Sequence, residues 1–225
     1  MNADFAERAV VHAASLEWSP SPTVGVDRRM LDRVGGEVAR ATSIVRYAPR
    51  SRFPAHTHSG GEEFLVLEGV FSDEHGDYPT GSYLRNPPTS HHSPGSHPGC
   101  VIFVKLWQFD PVDRTDVRVA VEAIPAMAVT NRPGIEVQTL FEDREEHVRI
   151  ETWASNTHVE IDAIDGLELL VLEGTLHEAG ERFTYLSWLR LPVGSTLMAD
   201  SGDEGCRIWI KTGHLRHTFA PPTTI

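Results

Sequence analysis

His56-Thr57-His58-Ser59-Gly60-Gly61-Glu62, followed after six residues by Gly69, is the stretch that decides the fold of this chain. Its complement begins at Gly81, places Pro87 six residues on and reaches His92 five residues after that. Imidazoles and a carboxylate are the groups a borderline divalent ion takes up. His56 and His58 are two apart, so on a β-strand both point to one face. Gly60-Gly61 permits a sharp bend or bulge before Glu62. The run Glu62-Glu63-Phe64-Leu65-Val66-Leu67 is rich in strand formers, which puts Glu62 on a neighbouring segment free to turn back toward the same point. His92 has to come from a separate hairpin that closes the site. A solvated loop at Ser90-His91-His92-Ser93-Pro94 is the plainer reading. Four ligand-type residues with correctly placed Gly61, Gly69, Gly81 and Pro87 outweigh it. His75, His91 and His97 are expected at the surface.

His-x-His-x3-Glu-x6-Gly followed by Gly-x5-Pro-x4-His resembles the two cupin motifs, with Thr89 where the second block usually has Gly. The wording Gly61-Glu62-Glu63, Val66-Leu67-Glu68-Gly69, Ser72-Asp73-Glu74, Arg85-Asn86-Pro87-Pro88 and Gly99-Cys100 is more particular. It resembles the cupin domain of ChrR-type anti-sigma factors over roughly residues 10–110. By that resemblance His56, His58, Glu62 and His92 are the metal ligands. Zinc is the expected metal, with iron, manganese or nickel as alternatives.

The chain then repeats itself. Val66-Leu67-Glu68-Gly69 recurs as Val171-Leu172-Glu173-Gly174, and Leu84-Arg85-x-Pro87 as Leu189-Arg190-x-Pro192, both at an offset of 105. Gly99-Cys100-x-Ile102-x-x-Lys105 recurs as Gly205-Cys206-x-Ile208-x-x-Lys211 at 106. A period of this length marks two whole domains rather than a solenoid. The expected fold is all-β, two tandem cupin barrels of jelly-roll type: a metal-binding domain over 1–112 and a degenerate one over 113–225. In the second copy His56 becomes Ile161, His58 becomes Ala163, Glu62 becomes Leu167 and His92 becomes Leu197. One metal ion is therefore expected, in the N-terminal barrel. Only a small insertion could bring Glu168 into register with Glu62, and His158 alone is a weak ligand set.

Length and composition agree. At 225 residues the chain suits two domains, each large enough for one core. The 18 Gly and 15 Pro fit short strands separated by turns. No apolar run reaches the length of a membrane span, and Met1-Asn2-Ala3-Asp4-Phe5-Ala6-Glu7 lacks the features of a signal peptide, so a cytoplasmic location is expected. A net charge of −12 argues against binding nucleic acid, which needs basic surface to displace counterions. Cys100 and Cys206 share one repeat position and read as buried small residues rather than a disulfide, with a redox role for Cys100 left open. Strands are expected at Ala41–Tyr47, Val101–Trp107 and Arg207–Lys211, a linker at Pro111–Thr115 and a short helix near Val26–Asp32. Apolar residues on both faces of the Glu62 strand call for a cover from the other domain or from a second copy in a homodimer.

Two functions follow from the same ligands. The resemblance implies a sensory or regulatory module, and zinc would close a tetrahedral shell with no open position. The helical zinc-bound domain that grips the sigma factor in those proteins is not recognisable here, and no His-x3-Cys-x2-Cys block occurs. Such a chain is expected not to inhibit a sigma factor by that route. The alternative is a cupin dioxygenase with iron, manganese or nickel and open positions for a small organic substrate. Ligand identity leaves catalysis undecided. Phe64, Val66, Tyr83 and Trp107 are the candidates for residues around the metal, with Glu63 or Tyr83 as a general base.

Overall fold

A computed structural model describes residues 1–36 and 38–217. Among them the regular elements are strands, apart from two single 3-10 turns at Ala13–Ser15 and Val121–Ala123. The expected strands form within Ala39–Tyr47, Cys100–Leu106 and Ser195–Thr212, the second ending one residue short of the expected Trp107. The expected helix does not. Val26–Gly35 is a strand paired along Ala39–Tyr47, because its alternating Val26, Arg28 and Met30 have a long antiparallel partner, and pairing outweighs local helix propensity.

Among the described residues the chain divides into two compact units, one of Met1–Ala3 and Glu17–Ala120, the other of Asp4–Leu16 and residues 121–217. Both are cupin barrels with the same strand order. In the first, Val117–Ala120, Ser82–Asn86, Glu62–Asp73, Cys100–Leu106, Ala39–Tyr47 and Val26–Gly35 lie side by side. In the second, Ala9–His12, Ser187–Leu191, Leu167–Glu178, Ser195–Thr212, His147–Trp153 and Ile135–Glu142 take those places. The outermost strands explain why the division departs from residue 112. Val117 faces Arg85 in the first unit as Ala9 faces Arg190 in the second. Pro111–Thr115 carries no strand, as a linker should, yet Asp113 holds Arg85 at 2.6 Å and ties this segment to the first unit.

The repeat is visible strand by strand. Glu62–Asp73 matches Leu167–Glu178, and Ser82–Asn86 matches Ser187–Leu191. Gly69 and Gly174 take φ of +73° and +70°, and a Cβ at either would collide with the carbonyl oxygen of Gly99 or Gly205. The two glycine-containing blocks that recur in the sequence are thus the two sides of one close backbone approach, made once in each barrel.

The first barrel packs Phe64, Val66, Phe71, Leu84, Cys100, Ile102 and Val104 inward. The second is filled more completely. Ala163, Leu167 and Leu197 sit in its core with Ile161 packed against them. Each such fully buried leucine contributes about 1.5–3 kcal/mol. Glu151, in register with the core residues Val137 and Ile208, is held by Arg149 at 2.8 Å, by Arg132 at 2.7 Å and 3.0 Å and by the Trp153 indole at 2.7 Å. Both cysteines are free and buried. Burial pushes the Cys100 thiol up to about 11, which keeps it protonated near neutrality.

Candidate metal centre

His56–Thr57 and His91–His92 form a two-stranded ladder in which His56 and His92 are direct partners. His58 follows one residue beyond, its backbone N–H donating to Ser90 O and its carbonyl accepting from Thr89 N–H. Gly61 then turns the chain with φ of +77°, and Glu62 opens the long strand. The three histidines converge, their ligand atoms lying within 4.8 Å of one another. His58 Nε2 and His92 Nε2 are 3.0 Å apart, and Glu62 Oε2 lies 3.4 Å and 3.6 Å from them.

These separations suit a shared ion. Two ligand atoms about 2.1 Å from one metal are about 3.0 Å apart at a right angle and about 3.4 Å apart at a tetrahedral one. A carboxylate and two imidazole nitrogens aimed at one point have no other common partner in view. The three-histidine group can bind a divalent metal.

Neighbouring groups fix the rings. His92 Nδ1 faces the fully shielded Asp73 carboxylate at 3.4 Å, and His56 Nδ1 faces Pro54 O at 3.2 Å. Each arrangement places the ring proton on Nδ1 and leaves the Nε2 lone pair toward the site. Asn86 Nδ2 donates to Glu62 Oε2 at 3.0 Å. Burial, and then the neighbouring His56, lowers His58 to about 4. Burial likewise lowers His92, and it raises Glu62 above the usual carboxylate range. His58 and His92 are therefore held in the neutral form, the form in which imidazole ligates.

The site opens into a cavity of about 590 Å³. Its walls include Val45, Tyr47, Phe53, Ile102, Leu106 and Trp107, with His56, His58 and Glu62 at one side. His56 is exposed while His58 and His92 are buried, so the set is reached from the His56 side.

Sequence reasoning placed the four ligand-type residues together and His75, His91 and His97 at the surface, and the structure does the same. Trp107 lines the cavity, and Phe64 and Val66 lie in the core beside it. Tyr83 and Glu63 are different. Glu62 pairs with Asn86 and Leu65 with Tyr83, so Glu63 and Tyr83 lie on the strands' other face. There the Tyr83 hydroxyl donates to Glu63 Oε1 at 2.7 Å, and neither reaches the cavity as a base. Glu168 faces Arg190 as Glu63 faces Arg85, so it is the counterpart of Glu63 and no insertion aligns it with Glu62. His158 makes a surface pair with Asp200 at 2.8 Å. Asp73 and Asn86 were missed as functional residues. The signal for Asn86 was its place just before Pro87, opposite Glu62. Nothing local marked Asp73, which lies 19 residues from His92.

The fold is that of two cupin barrels, the first of which carries a three-histidine group able to bind a divalent metal. More particularly, residues 6–110 match the family described as the ChrR cupin-like domain. No curated protein shows significant sequence similarity to the chain. Several solved structures share the fold across nearly its whole length. A proposed dioxygenase from Nostoc punctiforme is 13% identical with a TM-score of 0.76, the match covering 98% of this chain and 88% of that one. The protein Ylba of Escherichia coli is 14% identical with a TM-score of 0.72, covering 94% and 93%. The bacterial pirin YhhW of Escherichia coli, solved in complex with nickel(II), is 11% identical with a TM-score of 0.66, covering 92% and 99%. At such identities the likeness is one of fold.

Proposed function

We propose that His56, His58, Glu62 and His92 hold one divalent metal and that the protein is a cupin metalloenzyme of the dioxygenase type, acting on a small organic substrate. The observation that carries this reading is the cavity of about 590 Å³ opening onto His56, His58 and Glu62. Its size is that of small-molecule sites, mostly apolar with a few convergent polar groups. A divalent ion at these ligands supplies Lewis acidity and, where it is iron, manganese or nickel, open coordination positions. The chain supplies the rest. Asp73 and Asn86 orient His92 and Glu62, while Tyr47, Phe53, Ile102, Leu106 and Trp107 keep water from the substrate's apolar part.

A second reading, a zinc-bound sensory or regulatory module, is favoured by the match of residues 6–110 to ChrR cupin-like domains. Under it the same four ligands close a tetrahedral shell. Cobalt(II) substitution separates the two. Weak visible bands, shifted by small organic ligands, are expected of an open five- or six-coordinate site. Intense bands indifferent to such ligands would indicate the closed shell and favour sensing, as would recovery of a sigma factor with the chain in a pull-down.

A further inference from the structure

The cavity beside the candidate metal centre contains one cation that no described residue pairs with. Arg28 lines the wall, half-buried, on the strand Val26–Gly35. It faces Val45, which in turn faces Ile102, and both of these point into the barrel. Neighbouring arginines are engaged. Arg29 and Arg46 stack on Trp18 at 4.2 Å and 4.5 Å, and Arg46 pairs with Asp27 at 2.7 Å. Among the described residues nothing pairs with the Arg28 guanidinium. Among the described residues of the cavity lining, Glu62, committed to the histidines, is the one carboxylate.

The second barrel supplies an internal control. The position of Arg28, opposite Val45, corresponds to Val137, opposite Glu151. Val137 packs against the core, so the arginine is missing from the barrel in which the four ligand positions are apolar. In that barrel the corresponding interior row holds a carboxylate of its own, Glu151, gripped by Arg132 and Arg149. A half-buried guanidinium on an apolar wall offers a planar fork that matches a carboxylate.

We infer that Arg28 is the specificity residue of this cavity and that the substrate is a small organic acid, an apolar body carrying a carboxylate that the Arg28 fork receives. This rests on the reading of the cavity as the substrate side of the metal centre. The test uses 3-phenylpropionate and its uncharged twin 3-phenylpropanamide. Each is titrated calorimetrically into the purified protein with and without its metal, and metal content is measured on every sample. The wild type should bind the acid at least about tenfold more tightly than the amide, the scale of a charge-assisted hydrogen bond. Arg28→Ala should bind the two equally while keeping its metal, and Arg28→Lys, which keeps the charge but not the fork, should retain part of the preference. A preference that Arg28→Ala keeps, equal binding of the two probes, or binding of neither overturns the inference. So does a preference abolished by removing the metal but not by Arg28→Ala, since the carboxylate would then be going to the metal. An Arg28-dependent preference in protein that never holds metal would sustain this inference while refuting the metalloenzyme reading.

Discussion

Ile161 faces Leu197 across the second barrel in the register in which His56 faces His92 across the first. One backbone arrangement, present twice, holds imidazoles in one copy and hydrocarbon in the other. The apolar copy shows that this geometry closes without metal, on burial alone. The ligand-type residues of the first copy are therefore not required to form the barrel, and under the proposed function a bound metal offsets the cost of burying them.

Replacing His58 with Ala should remove most of the metal and leave the fold. Metal at a hundred times its dissociation constant adds about 2.7 kcal/mol to native stability, so melting should fall by several degrees in metal-containing buffer and little in chelator. Thermal melts of wild type and variant in both buffers measure this. An equal drop in both would make His58 a packing residue.

Asp73→Asn should weaken metal binding by about 10- to 100-fold, because His92 then faces a neutral amide in place of the carboxylate that holds its ring and raises its basicity. Competition with a metal-sensitive chromophore gives the affinity. An unchanged constant would show that the 3.4 Å contact does not orient the ring.

The metal-free protein should lose stability in mild acid. His58 lies near 4 in the folded chain and at its ordinary value of about 6.5 in the unfolded one, so the unfolded state takes up the proton first. Stability from this group is complete above about 6.5 and falls progressively toward pH 4, by up to about 3 kcal/mol. Glu62 acts with the opposite sign. Raised in the folded state, it regains stability as it is protonated, and so softens the loss. Denaturant midpoints of chelated protein between pH 7 and 4 report the balance, and wild type should lose more than His58→Ala.

Thr89 has φ of +76°, unfavourable for a β-branched residue, whereas the corresponding position of the second barrel is Gly194 at +81°. Thr89→Gly should stabilise the chain by roughly 0.5–1 kcal/mol, relief of the left-handed strain exceeding the entropy that glycine adds to the unfolded state. Chemical denaturation measures it, and destabilisation would mean that the Thr89 side chain holds the His92 turn.

Much of this was legible in the sequence. The offset of the Val-Leu-Glu-Gly blocks revealed two barrels because Gly69 and Gly174 have no substitute at a backbone approach this close. Parity put His56 and His58 on one face, and the bend expected at Gly60-Gly61 let Glu62 turn back toward them. What stayed hidden is non-local. Val26–Asp32 read as helix because the sequence does not show its partner strand. Residues Asp4–Leu16 belong to the second unit because strand pairing there reaches across the chain, from Ala9 to Arg190. Asp73 could be recognised beside His92 only once the barrel had closed.

The central claim is one metal, in the first barrel, on these four residues. Anomalous diffraction at the absorption edge of the metal found by elemental analysis tests it most directly. The account predicts one equivalent per chain and a single peak among His56, His58, Glu62 and His92, absent in crystals of His58→Ala. Two equivalents, a peak in the second barrel, or a full equivalent retained by His58→Ala would contradict it.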